Sequence, residues 1–134
     1  MHSVSLWVAQ ILASAFMAIL FLQSGLDKVF DWKGNKEYIG GYFSKTPLRR
    51  FTTVLLFQIT VLEVLAGVFC AGGVVTLLFT RTPLIAFIGS VLAALNIVAL
   101  FFGQRIAKDY AAAAGMVPYA IFTIGSVLLL GWGS

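Results

Sequence analysis

The stretch FQITVLEVLAGVF, Phe57 to Phe69, carries a single charge, Glu63, at its centre. The nearest upstream charge is Arg50, 13 residues away, and the nearest downstream is Arg81, 18 residues away. A helix needs about 20 predominantly apolar residues to cross the hydrocarbon core of a bilayer. The stretch therefore reads as the middle of a membrane-spanning helix, and Glu63 as a carboxyl group held at lipid depth.

Composition supports lipid as the solvent. Of the 134 residues, 60% are hydrophobic and only 10% charged, where a globular chain has roughly 45–50% apolar residues and about 25% charged. A soluble fold needs a polar exterior, and this chain does not have the residues to make one. The net charge is +4, but the basic residues collect at the ends of apolar runs instead of spreading over one face. That excludes a nucleic-acid partner and points to membrane lipid.

Four runs are long enough to span: Ser5 to Leu26, Phe51 to Gly73, Pro83 to Phe102 and Ala112 to Trp132. Backbone polar groups must be paired internally in lipid, and the alternation of a transmembrane barrel is absent, so the runs read as helices. Short connections make successive helices antiparallel. The predicted fold is an all-α integral membrane protein, a four-transmembrane-helix up-down bundle forming one domain over residues 1–134. Thr80 to Pro83 is the expected break between the second and third helices, and Pro118 is expected to kink the fourth. Met1 to Gln10 lacks a basic leader, so the first run reads as a retained helix.

The longest connection, Asp27 to Arg50, mixes charges with Phe30, Trp32, Tyr38, Tyr42 and Phe43. This is the composition of a segment at headgroup level. Gly40-Gly41 is expected to break any helix there, and Pro47 to start a new one. Asp27, Lys28, Trp32, Lys108 and Asp109 read as interfacial residues. The first and third connections hold Lys28, Lys33, Lys36, Lys45, Arg49, Arg50, Arg105 and Lys108, whereas the opposite side holds Arg81. The positive-inside rule then places the basic connections in the cytoplasm of a bacterial inner membrane, with both termini on the other side.

Inside the bundle, Glu63 shares a helical face with Thr60, Gly67 and Cys70, and the third helix offers a matching stripe of Gly89, Ala93 and Asn96. Small residues on facing stripes let membrane helices approach closely. At 1.5 Å per residue, Glu63 lies about 20 Å from Arg50 and Asn96 about 13 Å from Arg105, within roughly one turn of the same depth. Gln23, Ser24 and Gln58 lie nearer the same basic end. Glu63, Asn96, Gln23 and Gln58 are thus the predicted ligand-binding or buried polar core, in a pocket or funnel opening toward the basic side. An ionised carboxylate at mid-bilayer costs at least ~2.5–3.5 kcal/mol, so Glu63 is expected to be hydrogen-bonded to Asn96, a glutamine or a backbone carbonyl.

Other chemistry finds little support. His2 is the single histidine and Cys70 the single cysteine, which leaves no metal-ligand set and no internal disulfide. Cys70 reads as a small buried hydrophobe. A Ser-His-Asp set, a phosphate loop and a carboxylate pair are all lacking.

Three stretches, FLQSGLDKVFDWKGN, LEVLAG and GQRIAKDYAAAAGMVPY, in this order and spacing, resemble the DoxX family of small four-helix bacterial membrane proteins. The resemblance covers nearly the whole chain. It implies an acidic residue in the second helix, matched by Glu63, and a Gly-x-x-Lys-like exit from the first, matched by Gly25 to Lys28. Some family members are subunits of thiosulfate:quinone oxidoreductase, and others accompany redox-defence enzymes in membrane complexes. Members that handle disulfide chemistry use cysteine pairs, which this chain lacks, and the arginine found in many members at the start of the first helix is replaced by His2 and Ser3.

Three functional readings follow. The first is an accessory or structural subunit of a larger, respiratory or redox, membrane complex, without catalysis of its own. Trp7, Phe16 and Phe21 are its candidate contacts to partner subunits. The second is a quinone-interacting subunit of a membrane oxidoreductase, in which Glu63 or Asn96 meets a quinone carbonyl and a partner supplies electrons. Last comes a proton-coupled transporter, disfavoured because no inverted repeat or broken helix pair is visible.

Overall fold

The computed structural model describes residues 2–132. Met1, Gly133 and Ser134, and the side chains of His2 and Ser3, lie outside that description, and with them the readings made at His2 and Ser3. The chain forms α1 (His2–Phe30), α2 (Trp32–Tyr42), a 3-10 turn (Pro47–Arg50), α3 (Thr52–Thr80), α4 (Leu84–Ile106), α5 (Tyr110–Gly115) and α6 (Val117–Gly131). Among the described residues, four segments are long and apolar enough to cross a membrane: Val4–Phe30, Thr52–Thr80, Leu84–Ile106 and Tyr110–Gly131, the last made of α5 and α6. The protein is an all-α four-helix membrane bundle.

Side-chain pairs fix the direction of each helix. Along α1 and α3, Gly25 meets Val64, Gly67 meets Leu22, Ser14 bonds Cys70 and Trp7 bonds Leu77. One number falls as the other rises, so the two helices are antiparallel. Gly73 against Ala86 and Gly89 against Cys70 give the same result for α3 and α4, as do Phe16–Phe122 and Gln10–Leu129 for α1 and α6. The helices run in spatial order α1–α3–α4–α6, and α1 touches α6 only lightly.

Close approach explains the small-residue stripes. A Cβ on Gly67 would stand 2.7 Å from the Leu22 backbone nitrogen, and one on Gly73 2.5 Å from the Ala86 Cα. Lipid offers no hydrophobic drive between helices, so this intimacy and the interhelical hydrogen bonds hold the bundle. Three such bonds reach backbone carbonyls: Trp7 Nε1 to Leu77 at 2.6 Å, Gln10 Nε2 to Leu129 at 3.0 Å and Ser14 Oγ to Cys70 at 2.7 Å. The half of the bundle away from the basic end therefore also holds buried polar side chains, Gln10 and Ser14. Arg81 caps this end, its guanidinium 4.4 Å from the centroid of the Trp7 ring.

Several boundaries differ from the sequence reading. Helices α1 and α4 run four residues beyond the expected ends at Leu26 and Phe102, and α3 seven residues beyond Gly73. The expected break holds: α3 ends at Thr80, where Arg81 takes a left-handed conformation (φ 54°). The fourth span is interrupted at Met116, because Pro118 has no N–H to donate and sits in the first turn of α6. Gly40-Gly41 does not break the connection, since α2 runs through both. Its C-terminal end is pinned where buried Phe43 packs against Gly103 and Tyr42 bonds Asp109, and such packing overrides a weak local propensity. Pro47 starts only a 3-10 turn, capped by Thr46. Phe21 is buried, whereas Trp7 is half-buried and bonded to Leu77. Phe16 stays exposed while packing on Phe122, with ring centroids 4.8 Å apart.

Candidate functional site

Helix α3 carries Glu63 into the bundle, where it is only 2% exposed. Its partner is Lys28, which the sequence reading placed at the interface. The Lys28 Nζ lies 3.0 Å from Glu63 Oε2 and 3.5 Å from the Ser24 carbonyl oxygen, with its side chain 21% exposed. A lysine near a helix end normally extends its stem outward to the headgroups. Here it turns inward, and an ion pair stands where a lone carboxyl would otherwise be stranded in lipid.

Asn96 on α4 is the second member. It is 1% exposed and close enough to influence the Glu63 carboxyl. Yet neither its Oδ1 nor its Nδ2 completes a hydrogen bond of ordinary geometry. Leaving a buried amide unpaired costs about 1–3 kcal/mol per group.

Glu63 and Asn96 open onto one cavity of about 170 Å³, lined also by Leu20, Phe21, Ser24, Ile97, Leu100, Met116 and Tyr119. It is the interior space between α1, α3, α4 and the break at Met116, in the basic half of the bundle. Phe16–Phe122 and Gln10–Leu129 close the α1–α6 seam toward the other end. Around the cavity the seam is lined instead by Leu20 and Ser24 on one side and Met116 and Tyr119 on the other. Tyr119 is 36% exposed, so the cavity reaches the lipid-facing surface there.

Of the predicted polar core, Glu63 and Asn96 meet in this cavity. Gln23 and Gln58 do not, because both are exposed on the outer face of the bundle. Five residues of helix turn Gln58 by about 140° from Glu63, and Gln23 lies one position off the face that carries Ser24. Asp27, Trp32, Lys108 and Asp109 stand near the basic end of the bundle. Trp32 borders a lipid-facing groove with Phe57 and Val61. Asp109 caps α5 at the Ala112 N–H and accepts the Tyr42 hydroxyl at 2.9 Å. The site residues the sequence reading missed are Lys28 as a partner and Tyr119 as the rim. Among the described residues no cluster of three metal-ligand side chains occurs.

Comparison of the chain with family models, with curated proteins and with solved structures finds no match.

Proposed function

We propose that this protein is a small subunit of a redox-linked membrane assembly that holds the head group of a membrane-soluble, carbonyl-bearing ligand of the quinone class. The carrying observation is Asn96, buried at a cavity wall, whose Oδ1 has no hydrogen-bond partner and whose Nδ2 faces the Glu63 carboxyl without completing a bond of ordinary geometry. Its N–H suits a quinone carbonyl, and its carbonyl suits the hydroxyl of the reduced form. Size agrees with this reading: an engineered apolar cavity of about 150 Å³ accepts benzene, and this one measures about 170 Å³. The ring would sit beside Asn96 and the Lys28–Glu63 pair, while an isoprenoid tail leaves past Tyr119 into lipid. When bound, a quinone supplies two-electron redox chemistry, with electrons from a partner subunit.

This observation favours the quinone reading over a purely structural accessory role, for which a bundle sealed by apolar side chains would serve. The resemblance to DoxX proteins, some of them subunits of a quinone oxidoreductase, points the same way. In this reading the basic end faces the cytoplasm of a bacterial inner membrane. The test is mass spectrometry of protein purified in mild detergent from its native membrane, scored for quinones and for partner subunits. Retained quinone that is lost in Asn96→Leu supports the reading. A partner-complete preparation without quinone overturns it.

A further inference from the structure

A second site lies outside the bundle core. A cleft of about 530 Å³ separates the end of α2 and its turn from the α4–α5 connection, and its walls include Tyr42, Ser44, Lys45, Thr46 and Lys108. Lys45 and Lys108 reach it from opposite walls, and no acid stands among its lining residues. Asp109, next to Lys108 in the chain, is engaged by the Tyr42 hydroxyl and the Ala112 N–H. The hydroxyls of Ser44 and Thr46 donate to the Gly41 and Phe43 carbonyls. The free functional groups of the cleft are therefore two ammonium groups.

Tyr42 is shared with an adjoining apolar groove of about 150 Å³, where α2 roofs the seam between α3 and α4 over Leu48, Ile59, Leu100 and Phe102. Tyr38 and Phe102 on its walls are largely exposed, so the groove is open to lipid. Positive charge and apolar surface thus meet end to end at headgroup level. A free anion would use the first alone and a hydrocarbon the second alone. An amphiphile with an anionic head uses both.

We infer that the Lys45–Lys108 cleft and the groove beyond Tyr42 form a binding site for an anionic phospholipid, with the phosphate between the two lysines and an acyl chain in the groove. Basic pockets at the ends of transmembrane helices are suited to such head groups. The site ties α2 to the α4–α5 connection, because each contributes a wall.

The test is native mass spectrometry of the full chain in detergent, titrated with phosphatidylglycerol, with phosphatidylcholine and with inorganic phosphate. Phosphatidylglycerol binds with retention of discrete adducts and phosphatidylcholine does not. Each of Lys45→Gln and Lys108→Gln weakens phosphatidylglycerol binding about fivefold and the pair roughly 25-fold. Lys108 has a left-handed backbone (φ 60°), which glycine adopts freely. Lys108→Gly therefore weakens phosphatidylglycerol binding by the same fivefold or so while its own fold is kept or improved, separating binding from folding. Equal binding of phosphatidylcholine, unchanged affinity in the double variant, or full competition by inorganic phosphate overturns the inference. The last of these results would assign the cleft to the phosphate ion alone.

Discussion

Replacing Lys28 with methionine is expected to destabilise this protein more than neutralising Glu63, although both changes break the same ion pair. Lys28→Met keeps the length of the stem but leaves a 2%-exposed carboxyl group without its ammonium at 3.0 Å. Stranding one member of a buried pair costs about 3–5 kcal/mol. Glu63→Gln strands less. Lys28 is already 21% exposed in the last turn of α1, so its ammonium swings out to the headgroups, and the glutamine oxygen still accepts. The loss is about 1–2 kcal/mol, that of a charge-assisted bond partly remade. In the double variant no buried charge remains unpaired, so its cost falls roughly 2–3 kcal/mol short of the sum of the singles. Reversible unfolding in mixed micelles, followed by fluorescence of Trp7 and Trp32, measures all three. A larger loss in Glu63→Gln than in Lys28→Met, or strict additivity, would refute the pairing argument.

Four further outcomes follow from other parts of the fold. Burial first, then the hydrogen bond to Asp109 and its negative charge, raise the Tyr42 hydroxyl to about 12 from 10.0. The folded state thus holds this proton where the unfolded chain has lost it, and the contribution is complete below pH 10 and lost as pH rises toward 12. Phenolate absorbance should show one late-titrating tyrosine that Tyr42→Phe removes; unchanged titration would contradict the contact. Gly67→Val should cost about 1–3 kcal/mol or more by overpacking the α1–α3 crossing. Gly41→Ala, with nothing within 4 Å of its would-be Cβ, should stabilise α2 by about 0.5–1 kcal/mol; unfolding midpoints in the same micelles compare the two. Asn96→Leu removes a buried amide whose Oδ1 has no partner and whose Nδ2 only approaches Glu63, so the ligand-free protein should lose little stability. A clear loss of stability in that assay would mean that Asn96 is structurally satisfied.

How much of this was legible in the chain depends on which coordinate was being read. Run length and charge position set depth, so four spans, the basic end, and the shared level of Glu63 and Asn96 could be read directly. Azimuth was legible where residues formed a stripe, as with Thr60, Glu63, Gly67 and Cys70, all buried on one face of α3. It was not legible for Gln23 and Gln58, which were grouped by depth alone and face outward. The Lys28 contact lay beyond pattern reading because a flexible stem can turn either way, and only the opposing carboxyl decides it. The continuity of α2 through Gly40-Gly41 was hidden for a related reason. Its support comes from Gly103 and Asp109, some 60 residues later in the chain.

The proposed quinone site beside Asn96 is tested most directly by calorimetric titration of detergent-purified protein with a short-tailed quinone analogue. The expected result is saturable binding that is lost in Asn96→Leu while the fold, judged by its unfolding midpoint, is kept. Wild-type protein that binds no analogue, or binding that survives Asn96→Leu unchanged, would contradict it.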